Sequence, residues 1–160
     1  MIDSDCLIFI HGSESSSKTT KATLLRGLFP GMVVPDFTGP LEERMVQLES
    51  ILGDKTGWTI IGSSLGGLMA VLYAARHPEQ VRKLVLLAPA LTLPEFFQVT
   101  APISIPCVII HGTQDDIVPL GPARTLAEKF FTDLTYIVVD DDHRLHKSAQ
   151  ETDWNAILAG

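Results

Sequence analysis

A chain of 160 residues, 46% of them apolar, can build one folded domain with a sizeable core, which excludes a disordered segment. Its formal net charge of −7 disfavours nucleic acid and anionic membrane surfaces as partners, since phosphate binding needs clustered Lys and Arg. No apolar run approaches the roughly 20 residues of a membrane helix. The first five residues, MIDSD, are acidic and unlike a signal peptide, so a soluble cytoplasmic protein is expected. Cys6 and Cys107 each lie in an apolar run and read as small buried hydrophobes, neither a disulfide nor a metal pair.

In chain order, unbroken apolar runs recur at 6–10, 32–34, 58–61, 84–88, 107–110 and 136–139. None alternates between apolar and polar, the pattern expected of strands covered on both faces. Between them, Leu41, Met45, Leu48 and Leu52 share one helical face. Leu68, Leu72 and Ala75 share another, with Gly67, Ala70 and Ala74 allowing close approach to a sheet. Ala123, Leu126, Ala127 and Phe130 mark a third behind Pro122, and Trp154, Ile157 and Leu158 a weaker last one. Strands alternating with helices predict a parallel sheet with right-handed crossovers and helices on both faces. Ligands of such sheets bind beyond the carboxyl ends of the strands. With no internal repeat or low-complexity linker, 1–160 reads as a single domain.

The run at 59–61 passes directly into Gly62-Ser63-Ser64-Leu65-Gly66 and then a helical segment. This is G-x-S-x-G between a strand and a helix, where a sharp turn raises the central serine above the sheet. Side chains two residues before and after the serine would collide there, and Gly62 and Gly66 have none. The backbone N–H of Leu65, at a helix start, points where an oxyanion would develop. Gly12, closing the first strand, permits a tight exit that lets the N–H of Ser13 act as a second donor.

An acid is expected after the fifth run, where Asp115 stands nearer the strand end than Asp116; both could instead be solvated or cap the following helix. A base is expected after the sixth, where His143 opens the loop and His146 lies on the way into the last helix. His77 follows the nucleophile helix, where a histidine commonly does no more than favour the helix dipole. His11 and His111 occupy matching His-Gly positions that suggest turn geometry. The order Ser64, Asp115, His143 is serine–acid–histidine, and the chemistry needs all three. Neutral imidazole takes the hydroxyl proton during attack, and the carboxylate fixes its tautomer and steadies the imidazolium.

These residues resemble the α/β-hydrolase superfamily, and within it the small bacterial esterases of the YqiA kind. The matching stretches are IFIHGSESS, VVPDF, IIGSSLGGLMAVLYAARHPEQVRKLVLLAPA, VIIHGTQDDIVP and VVDDDHRLH, nearly the whole chain. The resemblance implies an α/β fold, a three-layer α/β/α sandwich of the minimal α/β-hydrolase kind. Its sheet would have six parallel strands in the order 2-1-3-4-5-6, beginning at the strand that carries His11 and Gly12. The cap domain of larger relatives would be reduced to 91–106, leaving an open site. Carried over, Ser64 is the nucleophile, Asp115 the acid, His143 the base, and Ser13 and Leu65 the oxyanion donors.

Phe96 and Phe97 in the short cap segment are candidates for an acyl pocket, or equally for a plug at the edge of the core. The polar loop 13–21, with three serines in succession and two lysines, reads as a solvated loop that could touch an anionic group. No metal-ligand cluster or dinucleotide loop is present, so neither metal nor cofactor is expected. The expected activity is a carboxylesterase (EC 3.1.1-like), extending to thioesters, on a small-molecule substrate with no nucleic acid or membrane partner. Oligomeric state is not legible. The alternatives are a non-catalytic binding protein on the same scaffold, or a peptidase of the same fold.

Overall fold

The computed structural model describes residues 2–160. Five parallel strands form one sheet: β1 (Leu7–Ile10), β2 (Trp58–Ser63), β3 (Val81–Leu87), β4 (Cys107–Gly112) and β5 (Leu134–Val139), side by side in that order. Among the described residues six α-helices join and flank them: α1 (Thr20–Leu28), α2 (Leu41–Leu52), α3 (Leu65–Arg76), α4 (Leu120–Phe130), α5 (His146–Glu151) and α6 (Trp154–Leu158). Among the described residues no helix is long and apolar enough to cross a membrane.

The period-two alternation of strand side chains divides the core into two layers. Ile8, Ile10, Ile60, Leu84, Leu86 and Ile109 face one way, where Met45 and Leu48 of α2, Leu68 to Ala74 of α3 and Ala127 of α4 cover them. Leu7, Phe9, Ile61, Val85, Leu87 and Ile110 face the other, under Ala22 and Leu25 of α1, Ala149 of α5 and Trp154 and Leu158 of α6. Both sides of β1 to β4 are thus apolar, which explains their unbroken runs. The result is a three-layer α/β/α arrangement.

Two expectations about the sheet require correction. The sheet has five strands in the order β1-β2-β3-β4-β5, not six in the order 2-1-3-4-5-6. The run at 32–34 yields only a single parallel bridge between Val33 and Ile8. Val33 N–H donates to Leu7 O and Phe9 N–H to Val33 O, and there the pairing stops. Pro35 has no N–H to continue a ladder, and Pro30 and Gly31 precede the run. Secondly, β5 is a border strand with Thr135 and Val138 exposed, so its apolar run is not covered on both faces.

Helix α1 was not among the expected helices and begins at the end of the stretch 13–21 that reads as polar loop; Thr19 caps it by accepting from Ala22 N–H. The expected last helix is two short ones, separated where the Asp153 side chain caps α6 by accepting from Ala156 N–H. Cys107 is buried in β4 as expected, whereas Cys6 ends a 3₁₀ turn ahead of β1 and is partly exposed.

Helix α3 lies so close to the sheet that a Cβ at Gly66 would overlap the backbone oxygens of Ile10 and His11. Gly66→Ala is therefore expected to cost about 3 kcal/mol or more, since backbone cannot yield as a side chain does. Gly27, exposed in α1, has open space around it, and Gly27→Ala should add about 0.5–1 kcal/mol. Urea denaturation midpoints of the two variants check both signs.

Candidate active site

Ser64 stands between the end of β2 and the start of α3 with φ 56° and ψ −115°. A non-glycine residue at positive φ is strained, and it persists only where its surroundings hold it. Here the backbone is held on both sides. Ser64 N–H donates to Leu87 O at 2.9 Å, and Ser64 O accepts from Gly67, Leu68 and Ala90 N–H at 3.0–3.3 Å. The side chain is thereby aimed out of the sheet at its carboxyl edge.

His143 arrives from the loop after β5. Its Nε2 lies 3.0 Å from Ser64 Oγ and its Nδ1 2.7 Å from Asp115 Oδ2. A carboxylate oxygen can only accept, so Nδ1 carries the proton and Nε2 presents a lone pair to the serine hydroxyl. The loop bearing His143 is secured from three directions. Asp141 accepts from Ser148 N–H and Oγ–H at 3.0 and 2.8 Å. Lys21 of α1 donates from Nζ to Arg144 O at 2.7 Å, and burial pushes that ammonium down to about 8. Leu145, at φ 55°, turns the chain into α5 with its side chain buried.

The Asp115 side chain is fully buried. Its Oδ1 accepts from Ile117 and Val118 N–H at 2.9 and 2.7 Å; its Oδ2 accepts from His143 and, at 3.1 Å, from Nε2 of the buried His111. Burial alone would raise the pKa of this carboxyl. The hydrogen bonds from His143, Val118 and Ile117 outweigh it and hold the group below the ordinary carboxylate range. His111 Nε2 also lies 3.0 Å from Val118 O, and its Nδ1 2.7 Å from Tyr136 Oη. Facing two acceptors, Nε2 carries the proton and Nδ1 takes the tyrosine hydroxyl's.

The N–H of Leu65 opens α3 and that of Ser13 follows Gly12; neither has an acceptor among the described residues. Gly12 is packed against Ser64, so that a Cβ there would stand 3.4 Å from the serine Cβ.

Ser64, Asp115 and His143 are therefore brought into one hydrogen-bonded line. Asp116 and His146 are exposed and join neither end of it. Phe96 is only 1% exposed and packs edge-on against Phe130 at 5.2 Å, which makes it core rather than pocket lining. Phe97 is 74% exposed and turned to solvent. His77 pairs with Glu49 of α2 through Nε2 at 2.6 Å, a partner beyond the helix dipole. Within the polar loop, Ser17 donates N–H and Oγ–H to Asp36 at 2.7 and 2.9 Å, so the segment is pinned. The partnerships of His111, Lys21 and Asp141 were not anticipated. The repeated His-Gly strand ends were the only signal for the first, and the other two link residues that no spacing relates. Two cavities of about 450 and 430 Å³ lie elsewhere, and none of the three aligned residues lines either. Among the described residues, no group of three or more His, Cys, Asp or Glu is placed to hold a metal ion. The arrangement can transfer the Ser64 proton to a neutral imidazole and balance the resulting charge on a buried carboxylate.

Comparison with known proteins identifies the fold that carries these residues. Residues 10–104 match the model of the alpha/beta hydrolase fold, a span that includes Ser13, Ser64 and Leu65 and stops before Asp115 and His143. Homoserine O-succinyltransferase of Laribacter hongkongensis (strain HLHK9) is 34% identical over 82 residues, covering 50% of this chain and 20% of that protein. The chain thus spans about a fifth of the length of the curated relatives it matches. Among solved structures, a protein of the alpha/beta superfamily from Xanthomonas campestris pv. campestris is 26% identical, with a TM-score of 0.74 and 91% of each chain covered. Est1E from Butyrivibrio proteoclasticus with bound ferulic acid is 17% identical, with a TM-score of 0.75 and 96% and 89% covered, a likeness of fold alone. With more than half its length matched and its architecture shared, the chain belongs to the alpha/beta hydrolase fold family.

Proposed function

We propose that this protein is a serine hydrolase that cleaves small carboxylic esters or thioesters through an acyl-enzyme on Ser64. The observation that carries the reading is the unbroken line Ser64 Oγ, His143 Nε2, His143 Nδ1, Asp115 Oδ2. His143 Nε2 accepts the hydroxyl proton as Ser64 Oγ attacks the carbonyl carbon, and the N–H groups of Ser13 and Leu65 receive the oxyanion. The tetrahedral intermediate collapses, the C–O or C–S bond breaks, and His143 returns the proton to the leaving alkoxide or thiolate. Water then attacks the acyl-enzyme, losing a proton to His143, and the second collapse frees the acid and restores the Ser64 hydroxyl. Asp115 stays ionised throughout and steadies the imidazolium. Each oxyanion donor is typically worth about 3–4 kcal/mol of barrier. Further support comes from Est1E, which shares the fold and holds a carboxylic acid, the kind of product such a reaction releases. The exposed ring of Phe97, on the segment after β3 whose Ala90 N–H donates to Ser64 O, is proposed to contact the acyl chain.

A fluorophosphonate probe is expected to label wild type and Ser63→Ala, and to leave Ser64→Ala and His143→Ala unlabelled. A folded wild-type protein that takes no label and hydrolyses neither nitrophenyl esters nor acyl thioesters removes the proposal in favour of a binding protein. Amide turnover exceeding ester turnover would make it a peptidase.

Asp115→Asn puts an amide donor beside His143 and favours the wrong tautomer, so kcat should fall about 10³- to 10⁴-fold. The same variant reports on stability. Because the folded-state pKa of Asp115 is depressed, its contribution is complete above the unfolded-state value and is lost as pH falls through the folded one. Urea melts should therefore show the wild-type advantage over Asp115→Asn shrinking toward acid pH; a constant gap would contradict the assignment. Phe97→Ala should lower kcat/KM for long-chain nitrophenyl esters by about 10-fold while leaving acetate nearly unchanged, as expected for loss of one large apolar contact.

A further inference from the structure

Arg44, in the first turn of α2, is 6% exposed. Among the described residues the ion pairs join His77 to Glu49, His111 and His143 to Asp115, and Arg124 to Glu128; none includes Arg44. A buried cation without a counter-charge costs several kcal/mol unless its donors are satisfied, so its placement calls for a reason. Its three nitrogens all face carbonyls of the chain. Nε donates to Gly39 O at 2.7 Å, Nη2 to Ser13 O at 3.1 Å and Nη1 to Gly12 O at 3.4 Å. Gly39 belongs to the turn before α2, whereas Gly12 and Ser13 belong to the loop packed against Ser64.

Two further donors converge on Gly12 O. His11 Nδ1 stands at 2.7 Å, and Ser15 Oγ at 3.2 Å. His11 Nε2 accepts the N–H of Phe37 at 2.8 Å, so the proton on that ring resides on Nδ1 and is directed at Gly12 O. No peptide bond in the described chain is cis. In a trans amide the N–H points opposite to the C=O. With the carbonyls of Gly12 and Ser13 both turned to the guanidinium, the N–H groups of Ser13 and Glu14 are turned away from it. Neither has an acceptor among the described residues.

We infer that Arg44 is a positioning residue for the oxyanion loop: its guanidinium grips the carbonyls of Gly12 and Ser13 and so presents the Ser13 N–H to the oxyanion formed at Ser64. The inference rests on the serine-hydrolase reading. Arg44 touches no substrate. It acts through the Gly12–Ser13 peptide, whose dipole lies with its oxygen toward the cation and its hydrogen toward the developing anion. With no carboxylate paired to it, the charge polarises that peptide in the sense that stabilises the transition state. Lysine keeps the charge but loses the planar fork that reaches several carbonyls at once.

The test is steady-state hydrolysis of p-nitrophenyl acetate by wild type, Arg44→Lys, Arg44→Ala and Ser64→Ala, with and without millimolar methylguanidinium chloride, alongside urea melts. Folded Arg44→Ala is expected to lose about 10- to 100-fold in kcat with KM changed less than about 2-fold, the signature of a misplaced donor. Methylguanidinium should restore part of that loss in Arg44→Ala and none in Ser64→Ala, and Arg44→Lys should fall between Arg44→Ala and wild type. Wild-type kcat in either folded variant, or a loss confined to KM, overturns the inference. Failure of both variants to fold also overturns it, since Arg44 would then serve stability alone. A wild type that neither hydrolyses the ester nor takes a fluorophosphonate label defeats the serine-hydrolase reading instead, so the two failures are distinguishable.

Discussion

The seat of the first turn of α3 on the ends of β1 and β2 is the constraint from which the site follows. Gly66 touches the carbonyls of Ile10 and His11, and Gly62 lies against the backbone of Gly66 and Gly67. Across that narrow gap the chain passes from strand to helix through a residue at positive φ, Ser64. The strain is held by four backbone hydrogen bonds to Ser64 and by nearly all of α3, which is buried from Gly66 to Ala74. The hydroxyl therefore stands in one place before any ligand arrives. Preorganisation of this kind lowers a barrier because no reorganisation is left for the moment of reaction.

The proposed acid depends on a different balance. The Asp115 side chain is as buried as the aliphatic core, and a carboxylate there survives because each oxygen accepts two hydrogen bonds. Two of the donors are backbone N–H groups of the same loop, a local turn that the sequence Asp115-Asp116-Ile117-Val118 forms by itself. The other two are imidazoles from β4 and from the loop after β5, so the carboxylate also ties those strand ends together. Gly112 assists by its lack of a side chain, since a Cβ there would overlap the backbone oxygen of Asp141.

Much of this was legible in the sequence. Ser64, Asp115 and His143 could be chosen because each follows an apolar run, and parallel strands deliver their following loops to one edge. The serine turn was the most explicit, because strained geometry leaves glycine at fixed offsets. What stayed hidden depends on pairing at a distance. Arg44 lies on a helix whose apolar stripe was plain, but nothing in 41–52 says that its guanidinium reaches residues 12 and 13. Phe96 and Phe97 are adjacent and identical, and only the direction of a 3₁₀ turn sends one into the core and the other to solvent. The run at 32–34 had strand-forming residues, yet Pro35 ended the ladder after a single bridge. Helix α1 was missed because its amphipathic pattern is weak beside the serines and lysines that precede it.

The two ends of the Ser64–His143 hydrogen bond are anchored unequally. The serine belongs to the centre of the sheet, while the imidazole hangs from β5, which has a neighbour on one side only, and from short terminal helices. Regions with fewer buried contacts open at lower free energy than the body of a protein. Local opening at that border would therefore part His143 from Ser64 while β1 to β4 stay paired, so that the hydrogen-bonded line and the sheet need not be lost together.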